Sequence, residues 1–458
     1  MSQDHGTEAA TLANAPPLEL DDIQHFLLTR TPALAARYEF LKLPDPMRGR
    51  AWLSTMLEKV GTGKSVGQQR ADARWVTLAF TWTGLRALGV DEASLATFPE
   101  EFREGMAARA SVLGTTGANA PEHWVGGLAG PDLHAIAILF AKDVAERERC
   151  RVEHQHFVER CGIEVISSLD LEAIPPLEYA HEHFGYRDRL SQPVIDGTGE
   201  VPTPGSGPPI KAGEFFLGYA DETGETPALP NPDVLTRNGS YLAYFRMQEH
   251  VGRFRDFLRQ HGKTRDEQEL VAAKLMGRWR SGAPLVLAPE KDDPALAADM
   301  QRNNAFDYGK MDPHGYACPV GAHVRRMNPR DTAENMQRRK MVRRGGTYGP
   351  HLPDDAPDDG TERGIASFVG CASLARQFEF TMNVWANDPR FSDLENERDP
   401  IIGTHDGSFD MVIPKRPVRK KFVGLPAFTT VRGGAYFFLP GVRALRFLAA
   451  GAGRVGVA

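Results

Sequence analysis

The sequence predicts an α+β protein built as two ferredoxin-like modules, each a small antiparallel sheet with helices on one side. Two observations carry this. Residues 132–169 alternate strand, helix and strand: DLHAIAILF (132–140) is rich in strand formers, 143–160 is a charged amphipathic helix, and 163–169 is a second strand. The same rhythm returns between GSYLAYFRM (239–247) and FTTVRGGAYFFL (428–439). The repeat is legible in the order of elements and not in residue identity.

In chain order, residues 1–18 read as disordered. A helix is expected over 20–30, with Ile23, Phe26 and Leu27 at helical spacing and Asp21 and Asp22 at its N-terminus. A helix over 48–57, a Gly/Ser/Lys linker over 61–69, a strand RWVTLAFTW (74–82) and a short helix over 83–88 follow. Residues 171–210 are rich in Pro and Gly and lack periodicity, which marks a long functional loop. VPTPGSGPPI (201–210) is a natural boundary, giving an N-terminal module over 19–205 and a C-terminal one over 206–458. The second module reads as a strand (239–247), helices (248–261, 267–279), an irregular insertion (289–357), a strand (365–372), a helix (373–385), a strand (428–439), and a helix over 440–449 with Pro440 in its first turn.

The 458 residues allow two or three domains, and 41% hydrophobic with 25% charged residues is ordinary for a soluble globular chain. A net charge of −6 argues against nucleic acid or an anionic membrane as partner. The bland reading of the basic runs 338–344 and 415–421 is a solvated loop, and it is favoured for the second. Cys150, Cys161, Cys318 and Cys371 are too few for a disulfide framework and form no CxxC pair, so buried free thiols are expected. No eighteen-residue apolar run exists, and the N-terminal residues carry no export pattern, so a cytoplasmic protein without a membrane span is expected.

Two stretches carry chemistry. The first is CPVGAHVRRMNPRDTAENMQRRKMVRRGGTYG (318–349), with His323 and the pair Arg343-Arg344. The second is HFGYRDRLSQPVIDG (183–197), centred on Asp188. Brought together by folding, a histidine, an acid and an arginine suit a haem peroxidase. The histidine ligates iron, the acid moves a proton and the arginine stabilises developing negative charge.

Seven segments in order, from GYRD with SQPVIDG, KAGEFFLGYADE (211–222) and NGSYLAYFRM (238–247) through CPVGAHVRRMNPR, RRGGTYG, RQFEF (376–380) and TTVRGGAYFFLP (429–440), resemble the dye-decolorising haem peroxidases, and the N-terminal pattern resembles their longer members. The resemblance implies haem b in the C-terminal module, hydrogen peroxide as oxidant, and an aromatic reducing substrate such as a dye or phenol. It implies His323 as proximal iron ligand, Asp188 as distal acid and Arg343 as distal arginine, with Arg344 one register away. Arg344 and Arg325 are candidates for a haem propionate, and Glu379 for the carboxylate partner of His323, with a salt bridge elsewhere as the competing reading. His183 and His405 read as surface or satisfied core residues. Trp385, Tyr348 and Tyr436 read as packing aromatics rather than electron relays.

The chain departs from the family pattern in two places. Arg189 stands where the motif has glycine, where it would narrow the pocket, lower the Asp188 pKa or point to solvent. Gly346-Thr347 replaces an apolar residue and proline, a change expected to alter loop stiffness. As a base, Asp188 must be ionised, so activity is expected at acidic to neutral pH until the acid is protonated. The alternative is a haem carrier or sensor on the same fold with little turnover, which the Arg189 departure keeps open. Oligomeric state is not legible.

Overall fold

The structure, a computed structural model, describes residues 17–28, 34–65, 74–175, 177 and 180–451. The expected disorder over 1–16, the end of the 20–30 helix and the linker residues 66–69 lie outside that set.

Ten strands organise the described chain: β1 (Ala35–Lys42), β2 (Trp75–Phe80), β3 (Ala135–Ala141), β4 (Glu164–Glu172), β5 (Ser240–Glu249), β6 (Val342–Tyr348), β7 (Gly364–Cys371), β8 (Met411–Ile413), β9 (Lys420–Phe422) and β10 (Thr429–Leu439). Eight form one antiparallel sheet in the order β4-β1-β3-β2-β10-β5-β7-β6, while β8 and β9 pair alone. The order is the same pattern twice. The helices α1 (Pro46–Met56) and α2 (Val144–Cys161) cross over within the first half. In the second, α3 (Val251–His261) and α4 (Arg265–Met276) follow β5, and the short α5 (His323–Met327) precedes β6. Two π-helical segments, Leu374–Glu379 and Thr381–Asn387, lie between β7 and β10, and α6 (Val442–Ala450) ends the described chain. Each half is therefore βαββαβ, the expected ferredoxin-like module.

Local chemistry sets the helix ends. Asp143 accepts the Glu146 amide at 2.7 Å at the start of α2, and Gly162, at φ 62°, stops it in the left-handed conformation. Thr264 caps α4 on the Glu267 amide, and Gly277 at φ 97° ends it.

The halves join where Phe80 of β2 pairs with Phe438 of β10. The two outer strands also meet: the Thr347 hydroxyl of β6 donates to the Glu172 carbonyl of β4 at 2.5 Å, and a Cβ at Gly346 would lie 3.1 Å from Leu171. The sheet thus curls towards a barrel. Its inside is aromatic, with Tyr244 packed on Phe368 and Phe40 at ring separations of 4.9 and 5.2 Å. Its outside carries the helices over a core that includes Trp52, Leu78, Tyr241 and Phe438. Each such fully buried side chain contributes roughly 1.5–3 kcal/mol.

Several sequence readings differ from the structure. Residues 35–42, given no element from sequence, form β1, and β6 lies inside the stretch read as irregular. Gly346-Thr347 therefore stands in the seam between strands, not in a loop. The 20–30 segment makes only a 3-10 turn, His25–Leu27, because Gln24 is held by tertiary bonds to Leu78 and the Pro440 carbonyl. Pro440 precedes the N-cap Gly441 of α6 instead of opening the helix. The expected boundary at 205/206 falls in the connection between β4 and β5.

Candidate active site

His323 opens α5, which is wedged against the end of α4: a Cβ on Gly277 would meet Cys318 and Val324 at 3.3 Å and Ala322 at 3.5 Å. The two arginines after it are buried and bind the surrounding backbone. Arg325 Nη1 donates to the carbonyls of Asp312 and Cys318 at 3.0 and 2.8 Å, and to the Asp312 carboxylate, with its guanidinium 4.5 Å over the Tyr308 ring. Arg326 donates to the carbonyls of Trp385, Glu397 and Asp388. Arg325 is thus a brace for the turn before His323 and not a propionate partner.

The His323 side chain is 19% exposed and the Asp399 side chain 0%. The Nδ1 atom lies 2.9 and 3.1 Å from the two carboxylate oxygens of Asp399. Asp399 Oδ1 also accepts the Ile401 and Ile402 amides, each at 2.9 Å. Burial alone would raise this carboxyl; the His323 imidazole and the Ile402 amide outweigh it and hold the group below its ordinary range. An ionised Asp399 fixes the proton on Nδ1 and leaves the Nε2 lone pair for a metal. Behind it, the ring of His405 lies 2.8 Å from the Asp399 carbonyl, so the histidine read as core also supports the pair.

Glu379 is not the partner of His323. Arg109 grips its carboxylate at 2.9 and 2.7 Å, and the Tyr436 hydroxyl donates to it at 3.0 Å. Tyr436, Tyr348 and Trp385 are all buried.

Asp188 ends a small hairpin. His181 bridges Arg187, and the Asp188 amide donates to the Ala180 carbonyl at 2.7 Å. The Asp188 side chain is exposed and accepts the Arg189 amide at 2.6 Å. Arg189 has φ 62°, so it adopts the left-handed conformation that glycine would take without strain. The next residues tie the hairpin to the rest of the site. Asn304 donates to the Leu190 carbonyl at 3.0 Å, and Arg278, beside Gly277, donates to Asn304 at 2.6 Å. The Asp188 loop and the His323 helix are therefore linked through the end of α4.

Arg343 and Arg344 point to opposite faces of β6. Arg343 pairs with Val369 on the outer face; its Nη2 donates to the Ser191 carbonyl at 3.0 Å and its amide to Gln192 at 3.1 Å. Arg344 pairs with Phe368 on the inner face and donates to the carbonyls of Phe26, Leu27 and Arg343 at 3.0, 2.7 and 2.9 Å. Arg344 closes the end of the barrel and does not take the propionate role expected of it.

The outer face around Arg343 suits a flat apolar dianion. Burial along β7 alternates, with Ile365, Ser367 and Val369 partly exposed. Met247, Met327, Met341 and Ile402 are likewise partly buried against the same apolar cluster. At its margin the Lys340 ammonium is held down to about 8, by burial first and by Arg330 and Arg343 next. The Lys340 ammonium donates to a neutral group, the Asn328 side-chain oxygen at 2.7 Å, and Arg330 donates to the Gly205, Asn304 and Phe306 carbonyls while its buried Nε has no hydrogen-bond partner. Cations packed together in this way call for an anion. Sequence reasoning missed Asp399, Lys340 and Arg330; of these Arg330 and Lys340 lay inside the quoted 318–349 stretch and Asp399 in no motif. Cys318 offers no thiolate: burial pushes its thiol up to about 11, and all four cysteines are free and buried.

The chain is 30% identical to dye-decolorizing peroxidase msp1 of Mycetinis scorodonius over a 473-residue alignment that covers 96% of this chain and 89% of that one. It is 31% identical to the dye-decolorizing peroxidase of Mycena epipterygia, covering 94% and 87%. The chain belongs to the dye-decolorizing peroxidase family. An ancestral D-type dye-decolorizing peroxidase superposes with a TM-score of 0.84 at 27% identity, covering 94% of this chain and 99% of that one. A dye-decolorizing peroxidase in complex with 2,6-dimethoxyphenol superposes with a TM-score of 0.83 at 28% identity, covering 94% and 100%. No protein-family model matches the chain. Dye-decolorizing peroxidases are haem-dependent, and the donor set here, an imidazole with a free Nε2 and cations at the edge of an apolar face, fits that group. No helix among the described residues is long and apolar enough to cross a membrane.

Proposed function

We propose that this dye-decolorizing peroxidase uses haem b and hydrogen peroxide to oxidise phenols and dyes one electron at a time. Its metal ligand is His323, its distal acid Asp188 and its distal arginine Arg343. The observation that carries the reading is the binding of three dispersed residues into one unit, with Arg343 on the loop after Asp188 and Arg278 and Asn304 joining that loop to the His323 helix.

Haem supplies the redox chemistry, taking oxidising equivalents from peroxide and passing them to the aromatic substrate. Asp399 keeps the His323 imidazole electron-rich and oriented. Lys340 would take a haem carboxylate in place of Arg325 and Arg344. Asp188 takes the proton from one peroxide oxygen and returns it to the other, so that water leaves, a contribution of about 10²–10⁴-fold. The Arg343 guanidinium meets the charge that develops as the O–O bond breaks. Four buried free cysteines support a reducing compartment such as the cytoplasm.

The test is to load the protein with haem b, add one equivalent of hydrogen peroxide and follow the Soret band, then supply 2,6-dimethoxyphenol. A rapid band shift and sustained phenol oxidation are expected. A band that ignores peroxide would replace this reading with carriage or sensing.

A further inference from the structure

Beneath the Asp188 hairpin two glutamates meet. Glu182 accepts the Phe184 and Tyr186 amides at 2.8 and 2.6 Å, and Glu249, at the end of β5, accepts the His183 amide at 3.2 Å. Both carboxyls thus lie beneath the same turn, where each acts on the other. Between them they hold three of the four amides in the turn over 183–186. The turn closes the hairpin: Gly185 donates to the Glu182 carbonyl at 2.9 Å, and Glu182 donates to the Tyr186 carbonyl at 3.2 Å. Asp188 follows two residues later.

Two carboxyls held beneath one turn, Glu249 buried and Glu182 half-buried, resist ionising together. A hydrogen bond between carboxyls also requires a donor, and an ionised carboxylate has none. The surroundings decide which carries the proton. Glu249 faces Glu182 and, further out, Asp188, both negative. Arg280 is the cation acting on Glu182, and it is shared with Glu269, to which its Nε donates at 2.7 Å, while its guanidinium lies 5.2 Å over Tyr186. Arg363 meets Glu249 through its backbone carbonyl, 2.8 Å from the Glu249 amide, and its side chain pairs with Asp359. The His183 ring lies 2.8 Å from the Tyr348 carbonyl and is neutral, since burial holds its pKa down to about 4. No cation faces Glu249 directly in this set. Burial raises both carboxyls, and Glu249 stands well above its ordinary range.

We propose that Glu249 is a positioning residue that stays protonated at neutral pH and, by donating to Glu182, locks the hairpin that aims Asp188. This rests on the reading of Asp188 as the distal acid; the lock itself does not. Because the folded pKa of Glu249 lies above the unfolded one, the stabilisation is complete at low pH and is lost as pH rises through the folded value.

Infrared spectroscopy of the haem-free protein at pH 7 tests the lock. A protonated-carboxyl C=O stretch is expected in the wild type and is expected to lose intensity in Glu249→Gln, which can make the same hydrogen bonds without a titrating proton. The alkaline fall in Tm is expected to flatten in that variant. An unchanged C=O band in Glu249→Gln, or an unchanged alkaline fall, would overturn the lock. Should Glu249→Gln fail to fold, Glu182→Gln serves: removing the neighbouring charge should move the alkaline step to lower pH, and an unmoved step would overturn it. The link to Asp188 is read separately from the peroxide reaction of the haem-loaded protein. Glu249→Ala should slow it by roughly tenfold or more through misplacement of the acid, with Glu249→Gln restoring most of the rate. Equal rates in wild type and Glu249→Ala would leave the lock standing and remove its role in positioning.

Discussion

The carboxylate of Asp399, shut from solvent, lies 2.9 Å from Nδ1 of His323 and is held there by two backbone amides. That contact orients the ring and fixes its tautomer, so its loss should be read at the metal. Asp399→Asn is expected to weaken haem retention by roughly 10–100-fold. Haem titration of the apoprotein, followed at the Soret band, measures it.

The same carboxylate gives an acid limb to stability. Its pKa lies below the ordinary value in the folded protein, so its contribution is present above the unfolded pKa and is lost as pH falls through the folded one. The apoprotein should therefore lose stability as pH falls below about 4, and that loss should be shallower in Asp399→Asn. Urea unfolding across acidic pH reads both.

Arg343 and Arg344 are neighbours with separate work. Arg343→Leu should slow the reaction with peroxide by roughly 10²–10³-fold and leave stability nearly unchanged. Arg344→Leu should do the reverse, costing about 2–3 kcal/mol because the Phe26 and Leu27 carbonyls lose a charged donor. Stopped-flow spectroscopy and urea unfolding on both variants separate the two roles.

Arg189 holds a backbone conformation that disfavours side chains, at φ 62°. Arg189→Gly should gain about 1 kcal/mol, and Arg189→Ala should lack that gain, since alanine bears the same left-handed strain. Thermal unfolding of the two variants makes the comparison.

Glu379 ties Arg109 to Tyr436. Glu379→Gln should destabilise the protein by about 1 kcal/mol, because Tyr436 loses a charged acceptor while Arg109 keeps Glu104, and the haem spectrum should stay as in the wild type. A shifted Soret band would return Glu379 to the His323 environment.

The repeated module was legible because β3, α2, β4, β5 and β10 are long and strongly patterned. β1 was not, since Arg37, Glu39 and Lys42 interrupt its apolar run; Arg37 and Glu39 pair with each other and with distant Asp170 and His154. β6 was hidden by two arginines and two glycines whose strand form depends on pairing with β7. At the site, motifs named His323, Asp188 and Arg343, but alternation along a strand was needed to part Arg343 from Arg344. Asp399 follows His323 by 76 residues in an irregular stretch, and no local spacing points to it. Arg325 and Glu379 looked like functional charges because sequence shows charge and not the carbonyls or arginine that absorb it.

The most direct test of the site is the second-order rate constant for hydrogen peroxide with haem-loaded wild type and Asp188→Asn, by stopped flow. The hairpin-borne acid predicts a fall of about 10²–10⁴-fold with the Soret spectrum of the resting protein unchanged. An Asp188→Asn protein that reacts as fast as wild type would contradict it and leave Arg343 as the main distal group.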